Sequence, residues 1–210
     1  MEPTRTLPDE YHLLGTLDLS KNKRALIVMN VIGTVFFFMF ALLFFMLASK
    51  LRPGVPAMAS VIEIGGWSDM IGILGVLLLA QAIMIILHEG VHGFFFWVFT
   101  RARPIYAFKG LYAYAALPDW YIPRNPYLVT CLGPLMVITL AGLILMIFVP
   151  AEWLKIIIFI MTLNAAGATG DMAIAAWLLS TPSTSYAQDQ GDAFSIYISG
   201  SVKSPNSIFN

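Results

Sequence analysis

Charge is what this chain has least of. Its 210 residues carry 12 Lys and Arg against 12 Asp and Glu, so charged residues are only 11% and the formal net charge is zero. A water-soluble domain carries about 25% charged residues, which excludes that class. The zero balance also removes any case for a nucleic-acid partner or a strongly basic membrane-surface patch. Cysteine is nearly absent: Cys131 alone cannot close an internal disulfide, and in its apolar run it acts as a small hydrophobe. No internal repeat is visible, and no low-complexity tract beyond the apolar runs. What fills the chain instead is hydrophobic, at 59%, and places it in the integral membrane class.

A bilayer-spanning helix needs about 20 mostly apolar residues. Four segments qualify: Ala25–Ala48, Met70 to Phe99, Tyr127–Val149 and Trp153–Leu179. The first is too long, and too far from the start, for a cleaved signal peptide. It reads as a retained helix, although "AMAS" at Ala57–Ser60 faintly resembles a cleavage site. The expected fold is an all-α polytopic membrane bundle of about four transmembrane helices, covering residues 25–180. A cytoplasmic N-terminal segment, 1–24, precedes it and a cytoplasmic tail, 181–210, follows. Residues 104–118 partly alternate around Lys109-Gly110 and suit a short hairpin, and "AFSIYISGSV" in the tail suits one strand or an interfacial segment.

Lys and Arg set the orientation. Arg5, Lys21, Lys23 and Arg24 precede the first span, Arg101, Arg103, Lys109 and Arg124 lie between the second and third, and Lys203 is in the tail. The opposite side has Lys50, Arg52 and Lys155. Both termini and the central loop are therefore expected in the cytoplasm, in a multi-pass protein of the cell membrane. Trp67, Trp153 and Trp120-Tyr121 fall near the span ends, as an aromatic belt would.

Within the second span the apolar run is broken by "ILHEGVHGFF". On a helix, His88 and His92 lie one turn apart on one face, with Glu89 bordering it. This is the H-E-x-x-H pattern, in which two imidazoles hold zinc and the glutamate activates water. An ionised glutamate in hydrocarbon costs several kcal/mol without a partner, and a metal site supplies one. Gly90 and Gly93 leave room for another helix or a peptide to come close.

A catalytic zinc takes three protein ligands and keeps one open position. His12, the remaining histidine, is in the polar N-terminal region, so a carboxylate is expected as the third ligand. Between Trp153 and Gln188 the only acid is Asp171, in "NAAGATGDMAIA". Counted from the outer ends of their spans, both His88–His92 and Asp171 lie about 18–22 residues in, or about 27–33 Å at helical rise. Asn164, seven residues earlier, lies on a similar face if the helix is regular; it suits a substrate or oxyanion hydrogen bond as well as an interhelical one. "GATGD" itself can break the helix locally. Gly133-Pro134 in "CLGPLMV" is expected to kink the third helix or pack it tightly.

These residues resemble the site-2 protease type of intramembrane zinc metalloprotease, with "HEGVHG" in one span, "LGP" opening the next and an Asn…Asp pair in a later one. More closely, "YIPRNPYLVTCLGP" and "NAAGATGD" are similar to the small bacterial and archaeal membrane family described as zincin peptidases, over roughly residues 70–180. The resemblance implies Zn2+ held by His88, His92 and Asp171, with Glu89 as the catalytic base. Departures from the site-2 pattern are Gly167 where a proline would stand, Met172 after the aspartate and an Asn–Asp spacing shorter by one. They bear more on Asn164 than on Asp171. No PDZ-like domain is evident.

The expected activity is hydrolysis of a peptide bond in a membrane protein or peptide, within the lipid bilayer. Two other readings are open: a zinc- or proton-linked transport or binding protein, and an inactive zinc-stabilised membrane scaffold. Four short spans without inverted repeats speak against a secondary transporter. The substrate and the oligomeric state are not legible.

Overall fold

A computed structural model of the chain describes residues 1–53, 66–110 and 112–200. The Ala57–Ser60 stretch and Lys203, used above for processing and orientation, lie outside the described residues. The elements run β1 (Tyr11–Asp18), α1 (Lys23–Leu51), α2 (Trp67–Thr100), β2 (Ile105–Phe108), β3 (Ala113–Ala116), β4 (Tyr121–Pro123), α3 (Arg124–Phe148), α4 (Ala151–Gly167), α5 (Thr169–Leu179), β5 (Tyr186–Asp189) and β6 (Ala193–Ser199).

The helices α1, α2 and α3 are each long and apolar enough to cross a membrane. The fourth expected span is two helices, α4 and α5, bent by 43° at a short break; taken as one span, the pair makes a fourth crossing. Large apolar side chains such as Phe38 (68% exposed), Leu78 (61%) and Leu140 (61%) stand on helix surfaces. Water would oppose so much bare hydrocarbon, whereas lipid accepts it. The chain is an integral membrane protein by this test.

The all-α expectation needs correction, because among the described residues six strands accompany the helices. The reason lies in segments too short and polar to span. The hairpin expected in 104–118 is present as β2–β3, with Ile105 paired to Ala116 and Phe108 to Ala113. A second, four-stranded antiparallel sheet has the order β1-β6-β5-β4. It draws one strand from the N-terminal segment, one from the loop before α3 and two from the tail. None of these has a hydrophobic face large enough alone, and antiparallel pairing supplies one.

Two compact units divide the chain. The first comprises Met1–Asn30, Glu89–Gly133 and the described part of Gly170–Asn210. Its core sets Phe194, Ile196 and Ile198, alternate residues on one face of β6, with Ile122, Ala187, Tyr127, Cys131, Ala175 and Leu178. On the other face Thr16 and Ser195 share a hydrogen bond of 2.9 Å. Thr4 bridges to Tyr121 and so covers part of the outer edge of β4. Trp120 packs on this core, with the Arg5 guanidinium 5.1 Å from its ring.

The second unit comprises Pro134–Thr169 and the described residues of Val31–His88. Its core is Phe44, Ala48, Met146, Leu154, Met161 and Ala165. Arg52 gives Nη1 to the carbonyls of Val149 (2.5 Å) and Met146 (3.3 Å), satisfying the end of α3, where helical acceptors run out.

The β5–β6 turn needs a glycine. Gly191 has φ +87°, a left-handed backbone, and a Cβ there would overlap the Tyr114 ring. Gly191→Ala is expected to cost about 1–3 kcal/mol through backbone strain and overpacking. A lowered melting temperature in detergent checks this; an unchanged one contradicts it.

Candidate metal centre

Helix α2 runs unbroken through the motif, so His88 and His92 fall one turn apart on one face by helical geometry alone. Both are buried. Each imidazole has its Nδ1 committed to an oxygen, and each of those oxygens is available for a reason written in the chain.

His92 Nδ1 lies 2.9 Å from the main-chain oxygen of Thr130. Thr130 sits four residues before Pro134 in α3. In a regular helix its carbonyl would accept the N–H of residue 134, but proline has none. Pro134 therefore leaves the Thr130 carbonyl open, and His92 takes it. A carbonyl only accepts, so Nδ1 is the donor, and Nε2 is the ring nitrogen turned toward Asp171.

His88 Nδ1 lies 2.9 Å from Asn164 Oδ1. The Asn164 amide nitrogen donates to the carbonyl of Pro134 at 3.2 Å. Because that carbonyl also only accepts, the amide orientation is determined: its oxygen faces His88, and His88 Nδ1 is the donor. Asn164 is fully buried in α4. Its amide is thus spent on holding His88.

Asp171 stands in the first turn of α5, just past the break that separates it from α4. The break has two visible causes: glycines flank it at 167 and 170, and the Thr169 hydroxyl donates to the Ala166 carbonyl at 2.7 Å. Cys131 Sγ donates to the Asp171 main-chain oxygen at 3.0 Å, which ties the start of α5 to α3. The Asp171 carboxylate lies 3.5 Å from His92 Nε2. With bonds of about 2.0–2.2 Å, tetrahedral zinc sets its ligand atoms about 3.4 Å apart. The His92–Asp171 separation is therefore that of two ligands on one ion. One ligand atom from each of His88, His92 and Asp171 lies within 4.8 Å of the others. Two neutral imidazoles and one carboxylate are a donor set that suits zinc, so the residues fit the ion.

Glu89 lies between the two histidines in sequence and is part-buried on α2. All five residues singled out from the sequence, His88, Glu89, His92, Asn164 and Asp171, are thus on the elements of this region.

Several neighbours were not foreseen. Thr130 acts through its main chain and Pro134 through the hydrogen atom it lacks, and the "LGP" stretch was the signal for both. Asp189 lies one residue past Gln188, just beyond the stretch in which Asp171 is the only acid. It accepts the Tyr127 hydroxyl at 2.6 Å and the Gly191 N–H, and burial pushes its carboxyl up to about 6. Gly133 is close-packed, as the sequence led one to expect of Gly133-Pro134: a Cβ there would stand 2.5 Å from the Phe95 ring, one turn beyond the motif.

Comparison with known proteins comes to one finding. The model of a family described as "Putative zincin peptidase" matches residues 81–186, half of the chain, from seven residues before His88 through Asp171 to β5. No curated protein and no solved structure matches.

Outer-shell hydrogen bonds to metal-binding histidines typically contribute 10–100-fold in affinity. Asn164→Ala is expected to weaken zinc binding by about that range, and Pro134→Ala by about tenfold, as a new N–H competes for the Thr130 carbonyl. Competition with a chromophoric chelator measures both. Wild-type affinity in both variants would contradict the assignment.

Proposed function

Because the chain belongs to the zincin peptidase family, a family of metallopeptidases, we propose that it is an intramembrane zinc metalloprotease that hydrolyses a peptide bond of a membrane protein. The observation that carries this is the convergence of His88, His92 and Asp171 within 4.8 Å, with both Nδ1 atoms already committed.

His88, His92 and Asp171 would hold the ion, and Asn164 and the Thr130 carbonyl would orient its imidazoles. Zinc, when bound, supplies the Lewis acidity that activates water and polarises the scissile carbonyl. Glu89 takes one proton from the attacking water as the water oxygen bonds to the carbonyl carbon. It then passes that proton to the departing nitrogen as the C–N bond breaks. Asn164 is assigned here to holding His88 rather than to contact with substrate, because its oxygen is turned to His88 and its nitrogen to the Pro134 carbonyl.

A substrate helix must unwind locally, since helical hydrogen bonds shield its carbonyls. Among the described residues β2 pairs with β3 alone. Its outer edge offers hydrogen bonds to an unwound strand, in the manner of β-addition. The Lys and Arg distribution supports a cytoplasmic side for both termini and this hairpin.

The test is metal content beside cleavage. Purified wild type should carry stoichiometric zinc, and His88→Ala, His92→Ala and Asp171→Ala should each lose it. Glu89→Gln should keep zinc and lower cleavage of a transmembrane substrate by about 10²–10⁴-fold. Zinc retained in Asp171→Ala would remove the third ligand. Full cleavage by Glu89→Gln would remove the mechanism. Zinc-dependent ion flux in liposomes without proteolysis would favour a transport protein.

A further inference from the structure

The face of α2 that carries His88 changes character along its length. Successive residues of a helix turn by about 100°. Leu74, Leu77, Gln81 and Met84 therefore fall within about 40° of the His88 direction. Near His88 this face is packed, with Met84 5% exposed. Toward the start of α2 it is bare, with Leu77 40% exposed and Leu74 56%. Gln81 stands where the packed part gives way to the bare part, and is itself part-buried.

An amide is out of place in so apolar a helix unless something bonds to it. Other polar side chains of the same unit are occupied or shut in. Ser49 and Thr162 donate to carbonyls of their own helices at 3.0 and 2.7 Å, and Asn164 is turned to His88. The Thr139 hydroxyl has no partner but is enclosed. The Gln81 amide makes no hydrogen bond among the described residues, and its atoms are not enclosed. It is open to a molecule that comes along the Leu74–Leu77 face.

That molecule must be apolar enough to pack on two leucines and must still offer hydrogen bonds at Gln81. A lipid acyl chain offers none. An intact helix offers none from its backbone, because its N–H and C=O groups are bonded internally. A transmembrane helix that is opening meets both conditions, since unwinding frees those groups where no water can take them. The spacing also fits a cleavage site. Gln81 is seven residues from His88, about 10.5 Å along the axis at helical rise. An extended chain covers that length in about three residues.

We propose that Gln81 is a substrate-binding residue: a transmembrane substrate helix packs on Leu74 and Leu77, and the Gln81 amide takes the backbone groups that its unwinding exposes, about three residues from the scissile bond. The amide offers both donors and an acceptor, so it serves either half of a broken helical hydrogen bond. It asks for no particular substrate side chain there, and selects instead for a helix that opens easily. This inference deepens the peptidase reading of the preceding section and rests on it.

The probe is a fluorescent Leu/Ala transmembrane peptide of about 24 residues with a central Asn-Gly pair that weakens its helix; a second peptide lacks the pair. Binding is read by anisotropy in nanodiscs, on the full-length, zinc-loaded Glu89→Gln protein, so that nothing is cleaved. Adding Gln81→Leu should weaken binding of the Asn-Gly peptide by about three- to tenfold, the scale of one interhelical hydrogen bond in a membrane, and leave the second peptide unchanged. Leu77→Trp should weaken both peptides, and Leu79→Trp, on the opposite face of α2, neither. A photo-crosslinker at residue 77 should capture the peptide. The role of Gln81 is overturned if Gln81→Leu affects neither peptide or both equally, if Leu79→Trp acts as Leu77→Trp does, if neither peptide binds, or if the crosslinker captures only phospholipid or a second copy of the chain. Each of these leaves the zinc reading standing. Zinc absent from the wild type, measured separately by elemental analysis, overturns that reading and this inference with it.

Discussion

Both histidines of the motif give their Nδ1 proton to an oxygen that can only accept, and the rest of the site depends on this. An imidazole in an apolar helix has two nitrogens to satisfy, and the tautomer decides which one is left for a metal. Here Thr130 and Asn164 take Nδ1 at 2.9 Å each. Nε2 of each ring is thereby the nitrogen that would ligate one ion. If either acceptor were lost, the ring could turn or change tautomer, and the H-E-x-x-H spacing would no longer guarantee a chelate.

Both acceptors trace to Pro134. Its missing N–H frees the Thr130 carbonyl, and its own carbonyl accepts the Asn164 amide, which sets the direction of the Asn164 oxygen. One proline thus serves each histidine by a different route. The break between α4 and α5 is the complementary device. It ends the helix that carries Asn164 and begins a new one with Asp171 in its first turn. There the unpaired N–H groups of a helix start favour a carboxylate. Packing and hydrogen bonds then do in lipid what water would otherwise disturb.

The sequence was most legible where chemistry and apolar patterning were both strong. The "HEGVHG" stretch and Asp171 were readable because ionisable groups are so few in an apolar chain that each one demands a partner. Three spans matched long apolar runs. The fourth was drawn as one helix, and only the glycines of "GATGD" hinted that it would break; Asn164 was therefore placed by a regularity that does not hold. The four-stranded sheet was hidden for a topological reason. β1 and β6 pair across nearly the whole chain, and neither segment announces its partner. The Thr130 carbonyl has no residue-type signature of its own and was legible only through Pro134, four residues on.

Zinc K-edge X-ray absorption on the purified, zinc-loaded protein tests the central claim most directly. Two imidazoles and oxygen donors at about 2.0–2.2 Å, with no sulfur, are the predicted shell. A sulfur shell from Cys131, or a single imidazole in the wild type, would contradict the account.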